Sequence, residues 1–281
     1  MIVSALRTDY ETKVRDANNR ILTDAEYLVL LNGAIREWQN RTEELRRENA
    51  FTVTARQFDY AAPSDILKLV TAIWMPTGSE LEVVAPTELM RLGGYRLRVV
   101  GTPALISQDE NNGRIRLYPA PPASSAATAI NQGAGIDASV TTIPVDSTTT
   151  FSEPGGWALI QSEKVLYQSL DSTNLLLCRR AMGGTTAATH ADDIAVTQCD
   201  LHLIYSYVPA ALTADGDSPP FNSRWHEYLN WFVLATALKL DGRMQDAMAA
   251  EAKWEASIRQ AIRSVKRVQS ASPFGSLGTG Y

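Results

Sequence analysis

Two strand-like segments stand on either side of a break in composition, and that break constrains the fold more than any other feature. Residues 113–119 read Gly-Arg-Ile-Arg-Leu-Tyr-Pro and residues 200–208 read Asp-Leu-His-Leu-Ile-Tyr-Ser-Tyr-Val. Both have the aliphatic, aromatic and β-branched composition of strands. Pro119, Pro121 and Pro122 stop the first, and residues 123–199 then turn to Ala, Ser, Thr and Gly. If the two arms pair as a hairpin, 123–199 is a domain inserted at its tip.

The surrounding sequence alternates between two periods. Val3, Leu6, Tyr10, Val14 and Ala17 fall on one face of a first helix. Thr23 and Glu26 form a capping box, and Leu22 with Tyr27 a hydrophobic staple, for a second helix expected to reach about Glu48. The period then changes to two, which predicts strands at 51–58, 66–74, 81–84, near 96–100 and at 103–107, with helical turns at 87–92. After the second arm, Asn222 or Ser223 starts a nearly all-apolar helix to about Leu240. Asp241-Gly242 permits a tight hairpin into a last helix, about 243–268, that packs through Met244, Ala247, Met248, Trp254, Ile258, Ile262 and Val265. The expected fold is α+β: an α-helical bundle of two N-terminal and two C-terminal helices, an antiparallel β region, and a small all-β insert. The body is 1–122 plus 200–269, the insert 123–199, and the tail 270–281.

Within the insert, strands are expected at 141–145, 157–160, 163–170, 174–179 and 193–197, at the turn-rich spacing of a small antiparallel barrel or sandwich. It carries seven acids (Asp137, Asp146, Glu153, Glu163, Asp171, Asp192, Asp193) against three bases (Lys164, Arg179, Arg180), close to the whole excess behind the net charge of −5.

That acidic balance argues against a protein coating nucleic acid over its whole surface. Cys178 and Cys199 have no companion at metal-ligand spacing, so no disulfide framework, metal site or cofactor is expected. The start of the chain lacks a signal peptide's pattern, and no stretch approaches a bilayer span. Among His190, His202 and His226 only His190 has close carboxylates, Asp192 and Asp193, in a turn best read as solvated. Gly183-Gly184-Thr185-Thr186 lacks the spacing of a phosphate-binding loop and reads as a β-turn. No catalytic residue is assigned, and the chain is expected not to be an enzyme.

One charged pattern remains. Arg259, Arg263, Lys266 and Arg267 share a face of the last helix, and no acid follows Glu255. Cations there complement the helix dipole, and the same face suits an acidic partner or DNA phosphates. The tail beyond it carries Phe274, Leu277 and Tyr281, apolar anchors of the kind that fold on binding.

Several words in order, Leu30-Leu-Asn-Gly-Ala-Ile-Arg-Glu-Trp38, Phe58-Asp-Tyr-Ala-Ala-Pro-Ser-Asp-Ile-Leu67, Arg114-Ile-Arg-Leu-Tyr-Pro-Ala-Pro121, Tyr205-Ser-Tyr-Val-Pro209 and Ser218-Pro-Pro-Phe221, resemble the head-to-tail adaptor proteins of tailed bacteriophages. In the insert, Thr142-Ile-Pro-Val-Asp-Ser147, Glu163-Lys-Val-Leu-Tyr167 and Arg180-Ala-Met-Gly-Gly-Thr-Thr-Ala-Ala-Thr-His190 resemble a β module of phage structural proteins. The resemblance implies a virion protein of the neck, assembled in the host cytoplasm, that forms a ring of about twelve copies. Its implied partners are the portal, a tail or nozzle protein, and double-stranded DNA passing without sequence recognition, with no membrane. Arg259, Arg263, Lys266, Arg267, Phe274, Leu277 and Tyr281 would dock on the portal. The competing reading is a sugar- or receptor-binding tail-associated module, with exposed Trp157 and Tyr167 of the insert stacking on sugars.

Overall fold

The computed structural model describes residues 1–14, 21–93, 99–153 and 155–270. The chain is α+β. It runs through α1 (Val3–Val14), α2 (Asp24–Thr42), β1 (Arg46–Phe51), β2 (Asp59–Ala61), β3 (Ile66–Trp74), β4 (Ser79–Val83), α3 (Pro86–Gly93), β5 (Leu105–Asp109) and β6 (Arg114–Tyr118). Eight short strands follow: β7 (Ala127–Ala129), β8 (Ile143–Pro144), β9 (Gly156–Ile160), β10 (Glu163–Tyr167), β11 (Ser169–Leu170), β12 (Asn174–Leu176), β13 (Arg179–Met182) and β14 (Ala195–Cys199). The chain ends with β15 (Leu201–Tyr207), α4 (His226–Leu240) and α5 (Met244–Ser270). Two compact units result, one of residues up to Arg46 with those from Ser206 onward, the other Arg47–Tyr205.

In the helical unit, local chemistry starts α2 where the sequence places it. Thr23 Oγ1 accepts from the Glu26 amide (3.3 Å), the Thr23 amide donates to Glu26 Oε2 (2.8 Å), and Leu22 and Tyr27 are buried. The helix ends at Thr42, short of the expected Glu48, because Glu43 takes a left-handed conformation (φ 50°). There the Gln39 side chain bonds the Leu45 backbone through both its amide nitrogen (2.9 Å) and its oxygen (3.0 Å). The next residues enter β1, so the strand expected at 51–58 is displaced to Arg46–Phe51.

The core of this unit centres on Trp38, which packs against Trp225, Trp254 and Phe221 with ring centroids 5.6, 5.5 and 6.1 Å away. Tilted contacts of this kind add about 0.5 to 1.5 kcal/mol beyond area burial. α4 buries most of its surface, and its buried polar Asn230 finds partners there. Asn230 accepts from Tyr27 Oη (2.7 Å) and donates to the Leu6 carbonyl and to Asp9 Oδ2 (both 2.8 Å). Gly242, at φ 74°, turns the chain from α4 into α5. Ala17 of the first predicted face lies outside the described residues.

In the other unit, seven strands form a sheet in the order β1-β15-β3-β4-β5-β6-β2. The two arms expected to form a hairpin are therefore not neighbours: β6 and β15 share this sheet, but β3, β4 and β5 lie between them. Residues 123–199 therefore do not sit at the tip of a β6–β15 hairpin. A second departure from expectation is that β4 and β5 run parallel. α3 lies in the connection between them, and a crossover returns the chain in the same direction where a tight turn cannot. Part of the strand expected near 96–100 lies outside the described residues.

Residues 123–199 nevertheless hold two sheets of their own, β13-β10-β9-β14-β7 and β11-β12-β8. Ile143 and Leu175 of the smaller sheet share a core with Ala158, Ile160, Val165 and Val196 of the larger. Trp157 and Cys199 face the other way and pack with Ala50 of β1, which ties this segment to the seven-stranded sheet.

Candidate functional site

The basic pattern at the end of the chain becomes a defined surface on α5. Ala247, Ala250, Trp254, Ile258 and Ala261 repeat at three- and four-residue steps and are buried, so the helix has one packed side. Arg259, Arg263 and Lys266 are exposed on its remaining surface. The last acid before them is already occupied. Glu255 receives a two-pronged bond from Arg41 (2.6 and 2.7 Å), and that guanidinium holds its carboxyl below the usual range. No carboxylate among the described residues lies within ion-pair distance of Arg259, Arg263 or Lys266. The Arg267 side chain, Phe274, Leu277 and Tyr281 lie outside the described residues.

A further cation joins this surface that sequence spacing did not flag. Arg224 lies over the Trp225 ring (4.3 Å) and donates to Ser264 Oγ (2.8 Å), which brings it beside the α5 stripe. It precedes the stripe by some forty residues (|i−j| 40 to Ser264), so no local periodicity connects them. Four exposed cations, three on α5 and Arg224 in the turn before α4, suit contact with a negatively charged surface.

The other cluster of ionisable groups is internal. Glu163, at the start of β10, accepts from Arg180 Nε (2.6 Å) and Nη2 (2.7 Å), from the amides of Ala181 (3.2 Å) and Ala188 (3.0 Å), and meets His190 Nε2 at 2.9 Å. Burial alone would push its carboxyl up. The bonds from Arg180, His190, Ala188 and Ala181 outweigh burial and hold it at about 2. His190 also places Nδ1 3.1 Å from Gln161 Oε1, so its partners are Glu163 and Gln161 rather than the nearby Asp192 and Asp193. The cluster is a structural lock: the carboxylate is 1% exposed and saturated with donors, which leaves a substrate no access. It joins two of the words that carry the β-module resemblance, 163–167 and 180–190.

The remaining candidates are a glycine turn and four buried side chains. Gly183 and Gly184 both take positive φ (61° and 80°) in a turn. Burial pushes the Cys178 and Cys199 thiols up to about 11 and about 12. Trp157 and Tyr167 are 3% and 0% exposed, so the rings assigned to sugar stacking are core residues. Trp157 packs against the His202 ring (5.6 Å), and Tyr167 Oη donates to the Ser152 carbonyl (3.2 Å).

A family model described as SU10 adaptor protein matches residues 1–277. The chain belongs to the SU10 adaptor protein family. As an SU10 adaptor it is a bacteriophage structural protein, of a kind that is generally non-enzymatic, associates with portal and tail proteins and resides in the virion neck. No curated protein matches the chain. No helix among the described residues of this SU10 adaptor is long and apolar enough to cross a membrane.

Proposed function

We propose that the chain forms a ring of about twelve copies beneath the portal, as the resemblance implies, joining head to tail and continuing the DNA channel. The observation that carries this reading is the exposed basic end of α5 in a chain matched over nearly its whole length by an adaptor family. Arg259, Arg263, Lys266 and Arg267, with Phe274, Leu277 and Tyr281 beyond them, dock on an acidic surface of the portal. A tail or nozzle protein binds the ring on its other side, and double-stranded DNA passes without sequence recognition. Residues 1–122 with 200–269 form the assembly body, and 123–199 are a module added to it.

The test is electron microscopy and pull-down with the purified portal. Rings should form alone or with the portal, and Arg259→Glu/Arg263→Glu should lose binding, as should removal of 270–281, while both variants unfold thermally like the parent. Wild-type protein that stays monomeric with excess portal overturns the ring reading. Unchanged binding by both variants overturns the docking surface. Because the attraction is between surface charges, raising salt from 0.05 to about 0.5 M should weaken binding.

A further inference from the structure

We infer that neighbouring copies join head to tail through two different patches of the helical unit; this rests on the ring reading above. The first patch is a protrusion at the α4–α5 turn. Leu240 is 70% exposed, and Met244 and Met248, expected on the packed face of α5, are 56% and 66% exposed. Leu240 ends α4, and Met244 and Met248 lie one turn apart on α5, so the three form a patch rather than scattered residues. Ion pairs flank it, Lys239 with Glu251 and Arg243 with Asp246. An apolar centre with a charged rim is the layout of a protein interface, and methionine suits such surfaces because its side chain adapts in shape.

The second patch is a recess of about 210 Å³ lined by Arg36, Gln39 and Asn40 of α2 with Val208 and Pro209. A cavity of about 150 Å³ accepts a benzene ring, so this recess has room for a leucine side chain. Charge then selects the pairing. Asp241 beside Leu240 and Arg36 at the recess are both exposed, and neither has an ion-pair partner among the described residues. With Leu240 seated in the recess of the next copy, these opposite charges come together. The two patches are different surfaces, which makes the contact heterologous, and heterologous contacts close into rings where a self-complementary patch gives only two-fold dimers.

Cysteine cross-linking of the full-length chain tests this directly, since Cys178 and Cys199 are buried and a thiol-reactive cross-linker will meet the engineered positions first. With a short bis-maleimide, Leu240→Cys mixed with Val208→Cys should give dimers, and the double variant a ladder of cross-linked copies. Leu240→Glu should raise the concentration needed for assembly by about tenfold or more. Asp241→Arg should weaken assembly, and adding Arg36→Asp should restore it. Dimers from Leu240→Cys alone, matching the mixed pair in yield, would overturn the head-to-tail pairing. Intact rings that neither cross-link nor respond to Leu240→Glu would overturn this surface and leave the ring reading standing. Wild-type protein that forms no ring with the portal would overturn both.

Discussion

Replacing Glu163 with Gln should cost the β unit about 3 kcal/mol at pH 7, and the cost should shrink steeply in acid. Holding the carboxyl at about 2 instead of its ordinary 4.5 corresponds to about 3 kcal/mol favouring the ionised form in the folded chain. A second route agrees. Arg180 is 7% exposed on the far side of the pair, and removing one partner of a buried ion pair costs about 3 to 5 kcal/mol. The Gln amide also turns a hydrogen towards donors it cannot satisfy. The pH dependence follows from the sign of the shift. A carboxyl depressed by folding stabilises fully above its unfolded value near 4.5, and that stability is lost as pH falls towards 2. Urea unfolding of both proteins from pH 7 down to about pH 2.5, with hydrogen exchange of residues 180–190 as the local probe, reads both effects. A Gln variant within about 0.5 kcal/mol of the parent at pH 7, or a gap that stays constant on acidification, would refute the lock.

Three further outcomes follow from the packing. Tyr27→Phe removes the bond to Asn230 Oδ1 and leaves a buried acceptor unpaired, so chemical denaturation should show a loss of about 1 to 3 kcal/mol in the helical unit. Gly135→Ala should destabilise the β module by several kcal/mol, because Gly135 sits at φ 71° and an added Cβ would meet the His190 carbonyl oxygen at 2.4 Å; a thermal midpoint within about 1 °C of wild type would contradict it. Cys178 and Cys199, with thiols raised to about 11 and about 12, should resist a disulfide reagent at pH 8 until denaturant is added, since the thiolate is the reacting form.

What could be read in the sequence follows how far each interaction reaches along the chain. The start of α2 was legible because its capping box spans three residues, and β3 because nine residues of strand-forming composition have clear ends. The apolar run of α4 and the turn at Gly242 were legible for the same reason. The cation face of α5 was visible as periodicity, whereas Arg224 joins it through Ser264 across forty positions, with no pattern to announce it.

Strand partners were not legible. Composition and alternation make 114–118 and 201–207 strands, but every strand of the seven-stranded sheet offers the same backbone groups. Only the burial of side chains across the whole unit decides that β15 sits between β1 and β3 rather than beside β6. The same limit hid the lock, where Glu163 meets His190 across 27 residues and the nearer Asp192 and Asp193 do not. It also turned Trp157 and Tyr167 inward, since alternation gives a strand two faces and leaves the choice of buried face to the layers packed against it. Forces that act within a few residues thus set the helices, most strands and the basic stripe. Tertiary structure alone decided the sheet order, the Glu163 lock and the exposed tip at Leu240, because each depends on which distant segments exclude water together.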